Sequence, residues 1–152
     1  MSLAELELKP LERQSDARGW LIEVLRGDRT YLNPRGQIYV TTANPGYCKG
    51  NHYHKRKTEW FLVIKGQGEL IVADIATQAT QKIEVDAGTP LLVKVPPLIA
   101  HTWVNTGEEP LYILAFIDEA FNPQDSDTYP GNGNGRWDVG GARLAGTGCA
   151  NS

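Results

Sequence analysis

Residues 46–66 read GYCKGNHYHKRKTEWFLVIKG, and this stretch decides how the rest of the chain is interpreted. It holds His52, His54 and Glu59, and the only other histidine among the 152 residues is His101. Side chains alternate between the two faces of a β-strand, so His52 and His54 are predicted to project to the same side. The spacing therefore places two imidazoles together, a few residues before a carboxylate.

That carboxylate lies on the apolar face of the strand that follows. Glu59 shares its face with Phe61 and Val63, which predicts that this face lines the interior of a barrel. His101 belongs to a later strand and has Trp103 on the same side of the pleat. Three imidazoles and one carboxylate in such an interior predict a mononuclear metal site with open positions for water or substrate. The alternative is a set of buried histidines satisfied by hydrogen bonds alone.

Composition and charge are those of one globular domain without a general affinity for nucleic acid or membranes. The net charge is −3, the hydrophobic fraction is 41%, and no apolar run approaches the roughly 20 residues of a membrane helix. Cys48 and Cys149 lie far apart and are interpreted as free thiols in a reducing compartment. A cytoplasmic protein is therefore expected.

Short runs rich in β-branched and aromatic residues recur between Gly, Pro and Asn turns, which predicts an all-β sandwich or barrel. The runs cover residues 20–26, 37–42, 59–65, 69–75, 81–85, 91–95, 99–105 and 111–117. Helical periodicity is absent from every longer window, leaving residues 118–121 as the one short helical candidate. We expect a single domain over residues 1–130 with an N-terminal arm. Residues 131–152 are expected to form a mobile Gly/Asn-rich tail, with Trp137 and Val139 as its only anchor points.

The spacing in the opening stretch resembles the first motif of the cupin family. That motif is G-x5-H-x-H-x4-E-x6-G, and Gly46, His52, His54, Glu59 and Gly66 occupy all its defined positions. The resemblance implies the cupin double-stranded β-helix, a jelly-roll barrel. It also implies that the two histidines and the glutamate bind a metal ion.

A looser match to the second cupin motif runs through Gly88, Pro96, His101 and Asn105. Leu98 occupies the place where the family usually has glycine. The resemblance implies that His101 is the fourth ligand of one divalent ion. Zinc is the first expectation for this donor set, with iron, manganese or nickel as alternatives.

Three segments narrow the resemblance within the cupins. Residues 49–54 (KGNHYH), 121–123 (FNP) and 127–129 (DTY) look like the C-terminal cupin domain of bacterial capsular polysaccharide-biosynthesis nucleotide-sugar reductase/epimerases. That resemblance implies an epimerase or ketoisomerase acting on a nucleotide-linked 4-keto sugar.

A more distant similarity is to the dTDP-4-dehydrorhamnose 3,5-epimerases. Their D-x-R-G-x3-E pattern is matched by Asp16, Arg18, Gly19 and Glu23. Their R-G-x-H segment, which carries the catalytic base, corresponds to residues 49–52. This chain departs from them after that point, because His54 replaces the usual glutamine and favours a metal.

Epimerisation beside a ketone requires a base for a carbon-bound proton and a group that stabilises the enolate. If the metal engages all three histidines, the base must be another residue type. Tyr129, Tyr53, Lys49 and Glu69 are the candidates, and the resemblance places Tyr129 first.

Basic and aromatic residues near the motif are candidates for substrate binding. Arg18 and Lys49 could bind a diphosphate, and Trp103 and Tyr39 could stack on a sugar or base or else pack in the core. Lys57 is interpreted as part of a solvated loop.

Two other functions fit the same ligands: an Fe²⁺-dependent oxygenase and a non-catalytic sugar-binding cupin. The expected partner is a small-molecule nucleotide sugar, without nucleic acid or membrane. A homodimer formed through an edge strand or an arm within residues 1–26 is also expected.

Overall fold

The computed structural model describes Pro10, residues 12–26 and residues 36–131. Within these ranges the chain forms eleven strands and no helix. They are β1 (Gln14–Asp16), β2 (Gly19–Arg26), β3 (Gln37–Ala43), β4 (Cys48–Tyr53), β5 (Glu59–Lys65), β6 (Gln67–Asp74), β7 (Thr80–Asp86), β8 (Leu92–Val95), β9 (Ile99–Asn105), β10 (Leu111–Ile117) and β11 (Tyr129–Pro130).

The strands form two antiparallel sheets whose inner faces share one core. One sheet has the order β1-β2-β3-β10-β5-β8, and the other has the order β11-β4-β9-β6-β7. Strands far apart in sequence are neighbours in space, since β4 pairs with β9 and β5 pairs with β10. Two sheets connected in this way form a jelly roll.

Alternation along β5 shows which face lines the interior. Glu59, Phe61 and Val63 are 3, 2 and 6% exposed, whereas the intervening residues are only partly buried. The predicted interior face of this strand is therefore confirmed. The core cluster joins both sheets and comprises Ala43, Phe61, Val63, Leu70, Val85, Val95, Trp103, Leu111, Ile113 and Ala115.

The all-β prediction is confirmed, and each of the eight predicted runs corresponds to a strand within a few residues. The short strands β1 and β11 were not predicted, and residues 118–121 are not helical. Residues 1–9, Leu11 and residues 27–35 and 132–152 lie outside the described residues. The predictions that fall there concern most of the N-terminal arm, the tail, Trp137, Val139 and Cys149.

Cys48 corrects one prediction. It is 3% exposed and disulfide-bonded, so its interpretation as a free thiol is wrong. The argument from free thiols to a reducing compartment loses its basis at this residue. Separately, no helix in the described ranges has the length and apolar character needed to cross a membrane.

Candidate metal centre

Strand β4 contains an extra residue where it pairs with β9, and this bulge decides which side chains face the interior. Lys49 pairs with Trp103, whereas His52, three residues further along, pairs with His101. Asn51 is the extra residue and has a φ of 63°. Directly paired residues project to the same face of a sheet. Lys49 and His52 therefore both face inward, which strict alternation over three residues does not allow.

Gly50 is required by the close approach of β9 at this bulge. Its φ is 93°, in the region that glycine adopts most easily. A Cβ at this position would lie 2.9 Å from the main-chain oxygen of His101. A side chain here would push the two histidine-bearing strands apart.

Four side chains from β4, β5, β9 and the loop after β4 converge inside the barrel. The ring of His52 lies 5.2 Å from that of His54 and 4.7 Å from that of His101, measured between centroids. Glu59 Oε2 lies 3.0 Å from His101 Nε2 and 3.5 Å from His54 Nε2. Ligand atoms of His52, His54 and Glu59 lie within 4.8 Å of one another. His101 joins this group through Glu59, so the structure brings all four predicted ligands together.

Hydrogen bonds on the side away from the cluster orient His54 and Glu59. His54 Nδ1 lies 2.7 Å from the main-chain oxygen of Asp127, which can only accept a hydrogen bond. The proton is therefore on Nδ1, and the Nε2 lone pair points toward Glu59. Tyr39 donates a hydrogen bond of 3.1 Å to Glu59 Oε1, which leaves Oε2 facing the histidines.

The members of the cluster shift one another's pKa values in different directions. Burial, reinforced by His101, lowers the pKa of His52 to about 3. Burial alone would raise the pKa of Glu59, but His101 and His54 outweigh it and hold this pKa below its usual value. Burial lowers the pKa of His54, yet Glu59 reverses the direction and raises it. Burial and the Glu59 charge raise the pKa of Tyr39 well above 10, so its hydroxyl remains a donor.

These residues fit a bound divalent cation. His54 Nε2 and Glu59 Oε2 are buried and have no hydrogen-bond partner, although they lie 3.5 Å apart. Unpartnered buried polar atoms are destabilising unless a further group satisfies them. Three nitrogens and one carboxylate oxygen, with carbonyl and hydroxyl groups behind them, form a typical donor set for zinc and similar ions.

The predicted substrate-binding residues Arg18, Lys49 and Trp103 differ in how deeply they are buried. Lys49 is half-buried on the interior face, and Asp16 and Arg18 of the β1–β2 hairpin are close enough to influence its pKa. Arg18 donates to both carboxylate oxygens of Asp16, and its side chain is 26% exposed. Trp103 is 3% exposed and packs edge-to-face on Phe61 at 5.2 Å. Its ring belongs to the core, although its Nε1 has no hydrogen-bond partner.

The predicted catalytic tyrosines lie on the other face of the sheet. Tyr53 follows His52 in β4, and Tyr129 is its direct partner in β11. The two rings stack at 5.4 Å, and Lys55 Nζ lies 4.3 Å from the Tyr129 ring centroid. The structure therefore does not bring Tyr53 or Tyr129 to the histidines.

Glu69 is also remote from the cluster. It adjoins the core residue Leu70 in β6 and therefore faces outward, where it forms a 2.9 Å ion pair with Lys82. A cavity of about 490 Å³ lies beside it along the edge of β6 and β7. No histidine lines that cavity.

Lys57 corrects the prediction of a solvated loop. The side chain is 2% exposed, and Nζ donates a 3.0 Å hydrogen bond to the main-chain oxygen of Ser126. The supporting roles of Asp127 and Tyr39 were also missed. Spacing gives no signal for Asp127, because it is 73 residues from His54 in the chain.

Leu98 lies in the turn before β9, at the place where the cupin motif usually has glycine. Its φ is 67°, a left-handed conformation that leucine rarely adopts, and its N–H donates a 2.7 Å hydrogen bond to the His54 oxygen. Asn105 is 2% exposed and donates to the main-chain oxygens of Ala43 and Glu109. The second motif therefore supplies two structural turns around the ligand candidate His101.

The two-sheet jelly roll and its enclosed His-x-His, Glu and His cluster define a cupin, as the first motif predicted. Solved structures with this fold include oxalate decarboxylase of Bacillus subtilis, with a TM-score of 0.62 and 21% identity over 78% of this chain and 28% of that one. The chain belongs to the family of polysaccharide biosynthesis C-terminal domains, whose family pattern matches residues 14–129.

Relatives within polysaccharide biosynthesis differ in length. The spore coat polysaccharide biosynthesis protein SpsL of Bacillus subtilis is 29% identical over 80% of this chain and 84% of its own length. The UDP-2-acetamido-2,6-beta-L-arabino-hexul-4-ose reductase of Pseudomonas aeruginosa is 34% identical over 76% of this chain but 30% of its own. The present chain thus spans about a third of that reductase.

Two further similarities broaden the comparison. The capsular polysaccharide assembling protein CapF of Staphylococcus aureus superposes with a TM-score of 0.73 and 30% identity, over 79% of this chain and 34% of CapF. A glucose-6-phosphate isomerase of Thermococcus onnurineus is 38% identical over 70% of this chain and 68% of its own. The relatives of this chain therefore include a nucleotide-sugar reductase and a glucose-6-phosphate isomerase.

Proposed function

We propose that this chain is a metal-binding cupin that acts on a nucleotide-linked 4-keto sugar in polysaccharide biosynthesis, as an epimerase or ketoisomerase. The observation that carries the proposal is the buried cluster in which His54 Nε2 and Glu59 Oε2 have no hydrogen-bond partner. Family membership and the nucleotide-sugar substrate named for the Pseudomonas relative support the substrate class.

His52, His54, Glu59 and His101 would hold the ion, with zinc as first choice for this donor set and iron, manganese or nickel as alternatives. A bound divalent ion would polarise the ketone oxygen of the sugar and stabilise negative charge that develops there. Since this arrangement engages every histidine of the chain, proton transfer falls to another residue type.

Lys49 is the base candidate that the fold supports best. It faces the interior beside Trp103, on the face that also carries His101. Burial, followed by the charge of Arg18, lowers the pKa of Lys49 and so increases the fraction of neutral amine. The neutral amine would accept the proton at C3 of the sugar, and solvent water would return a proton on the opposite face and so invert that carbon. Lys49 therefore precedes Tyr129 in this proposal.

Arg18 would bind the diphosphate at the mouth of the barrel. Its hydrogen bond to Asp16 holds the guanidinium in place and lowers the pKa of that carboxyl to about 2. Guanidinium groups suit phosphate oxygens because their donors are planar and paired. The hairpin would thus hold the nucleotide end while Lys49 faces the sugar.

The test is the exchange of the C3 proton with solvent. NMR in heavy water monitors this exchange in UDP- and dTDP-linked 4-keto sugars. Lys49→Met is expected to lower the exchange rate by about 10²–10⁴-fold, the usual contribution of a positioned base. Lys82→Met, on the exposed β7 strand, is the matched control and should exchange at the wild-type rate. Metal content should be equal in all three proteins.

Other outcomes separate the competing functions. Unchanged exchange in Lys49→Met together with loss in Tyr129→Phe would return the base to Tyr129. Nucleotide-sugar binding without deuterium uptake would identify a non-catalytic cupin. Oxygen consumption by the iron-loaded protein would identify an oxygenase.

A second candidate function is aldose–ketose isomerisation of a phosphosugar, which the glucose-6-phosphate isomerase relative favours. The same interior Lys49 and metal cluster would serve, because this reaction also moves a proton next to a carbonyl. Incubation with glucose 6-phosphate and detection of fructose 6-phosphate distinguishes it from the nucleotide-sugar reaction.

A further inference from the structure

Residues 118–131, here called the strap, run back along the histidine-bearing segment 51–58. The two segments are antiparallel and contact each other along most of their length. At one end Thr58 N–H donates to Asp118 Oδ1 at 3.0 Å, and at the other Gly131 N–H donates to the Asn51 oxygen at 2.9 Å. The strap therefore packs against the loop that leads from His54 to Glu59.

Asp127 makes more of these contacts than any other described residue of the strap. Its carboxylate accepts hydrogen bonds from the main-chain N–H groups of Lys55, Arg56 and Lys57, at 3.1, 3.0 and 3.2 Å. Its own main-chain oxygen accepts the 2.7 Å hydrogen bond from His54 Nδ1. One residue thus fixes both the loop after His54 and the orientation of its ring.

The conformation of Asp127 is matched to this double role. The residue is 4% exposed and has a φ of 47°, a left-handed conformation that Asp and Asn tolerate better than most residues. The left-handed backbone lets the side chain and the main-chain oxygen of one residue reach the same loop. Lys57, whose buried Nζ donates to the oxygen of Ser126, holds the preceding residue in place.

We propose that Asp127 is a positioning residue of the metal centre, holding His54 in the Nδ1–H tautomer with its Nε2 directed at the ion. This inference rests on the proposed metal binding. It assigns Asp127 no contact with substrate or metal. Hydrogen-bond partners behind a metal-bound histidine fix its tautomer and ring orientation, and their loss commonly weakens metal affinity 10–100-fold.

The first experiment measures affinity for Zn²⁺ and Co²⁺ by chelator competition, with the Co²⁺ absorption spectrum as a readout of ligand geometry. Asp127→Ala is expected to bind both ions 10–100-fold more weakly and to change the Co²⁺ spectrum. Asp125→Ala is the control. It alters the same residue type in the same strap, but its side chain is 62% exposed and pairs with the exposed Arg56 side chain. Wild-type affinity and spectrum in Asp127→Ala would overturn the proposal.

A second variant covers the case in which Asp127→Ala fails to fold. Asp127→Asn tolerates the left-handed backbone and keeps one acceptor oxygen, but leaves part of the 55–57 amide set without an acceptor. It is expected to bind Zn²⁺ about tenfold more weakly while giving the wild-type circular dichroism spectrum. A folded Asp127→Asn with wild-type affinity contradicts the positioning role.

The third readout needs no metal and separates this inference from the proposed function. Long-range ¹⁵N–¹H correlation spectra report the tautomer of each histidine at a pH where imidazole is neutral. His54 should be the Nδ1–H tautomer in wild-type apoprotein and a mixture in Asp127→Asn. If the wild type binds no divalent ion but this difference is found, metal binding fails and the orienting role stands. An unchanged tautomer overturns the orienting role whatever the metal result.

Discussion

At the scale of single residues, Leu98 has a strained backbone conformation. Its φ of 67° places a branched side chain in a region that costs a non-glycine residue about 1–2 kcal/mol. Its N–H nevertheless donates to the His54 oxygen, so the turn holds the chain against the histidine loop.

Replacing Leu98 by glycine should therefore be far less harmful than the same change elsewhere. Leu91 is a matched control, because the two leucines are 47% (Leu91) and 44% (Leu98) exposed and Leu91 has no positive φ. We expect Leu98→Gly to exceed Leu91→Gly in free energy of unfolding by about 1–2 kcal/mol. Urea denaturation of both variants measures the difference, and equal stabilities would show that Leu98 is unstrained.

Residue spacing predicted the four ligand candidates but not what orients them. The first motif identified His52, His54 and Glu59 as candidates because its spacing is a local property of the chain. Asp127 and Tyr39 reach the cluster through tertiary contacts, across 73 and 20 residues. Such partners depend on which strands become neighbours, and no local pattern records that.

At the scale of elements, the loop between β4 and β5 was interpreted wrongly because its sequence is basic. Lys55, Arg56 and Lys57 are adjacent, yet the first two are exposed and the third is buried beneath the strap. A run of charged residues predicts a solvated loop only if every side chain in the run can reach water. Here the strap covers one of them and supplies a carbonyl to its ammonium group.

This difference predicts unequal effects of alanine in the same loop. Lys57→Ala should lower the free energy of unfolding by about 2–4 kcal/mol, because it leaves a cavity and an unpaired Ser126 carbonyl. Lys55→Ala, which removes an exposed contact with the Tyr129 ring, should cost at most about 1 kcal/mol. Thermal and urea denaturation compare them, and similar losses for the two would refute the buried role.

The bulge in β4 is the other element that spacing alone misjudges. Alternation from His52 would turn Lys49 outward, but the extra residue Asn51 returns it to the interior. Gly50-Asn51 is a pair whose residues both tolerate positive φ, and such a pair inside a strand pattern is a signal for a bulge. The signal gives the position of the bulge, whereas the face on which each side chain emerges requires the register with β9.

At the scale of the whole molecule, the all-β architecture followed from turn spacing, while the pairing of distant strands came from the cupin resemblance. The six-stranded sheet ends in the edge strand β1. Strand β1 is exposed along its whole length and has a partner on one side, β2, within the described chain. An edge of this kind can pair with a second molecule.

We propose that β1 contributes to a homodimer. Asp16 and Gly19 flank a two-residue turn and form its hydrogen-bonded pair, so the N–H of Ser15 points away from β2. Light scattering at micromolar concentration should give twice the mass of one chain. Ser15→Pro should reduce the measured mass toward that of a single chain. Ser15→Ala keeps the N–H and serves as control. The mass of a single chain in the wild type would exclude this dimer.

The strap also has a consequence for how the protein is made. All four candidate ligands precede it in the sequence, and His54 is 73 residues ahead of Asp127. During translation, the ribosome releases three imidazoles and a carboxylate well before the residue that orients one of them. A nascent chain therefore carries a complete ligand set before Asp127 is available to orient His54.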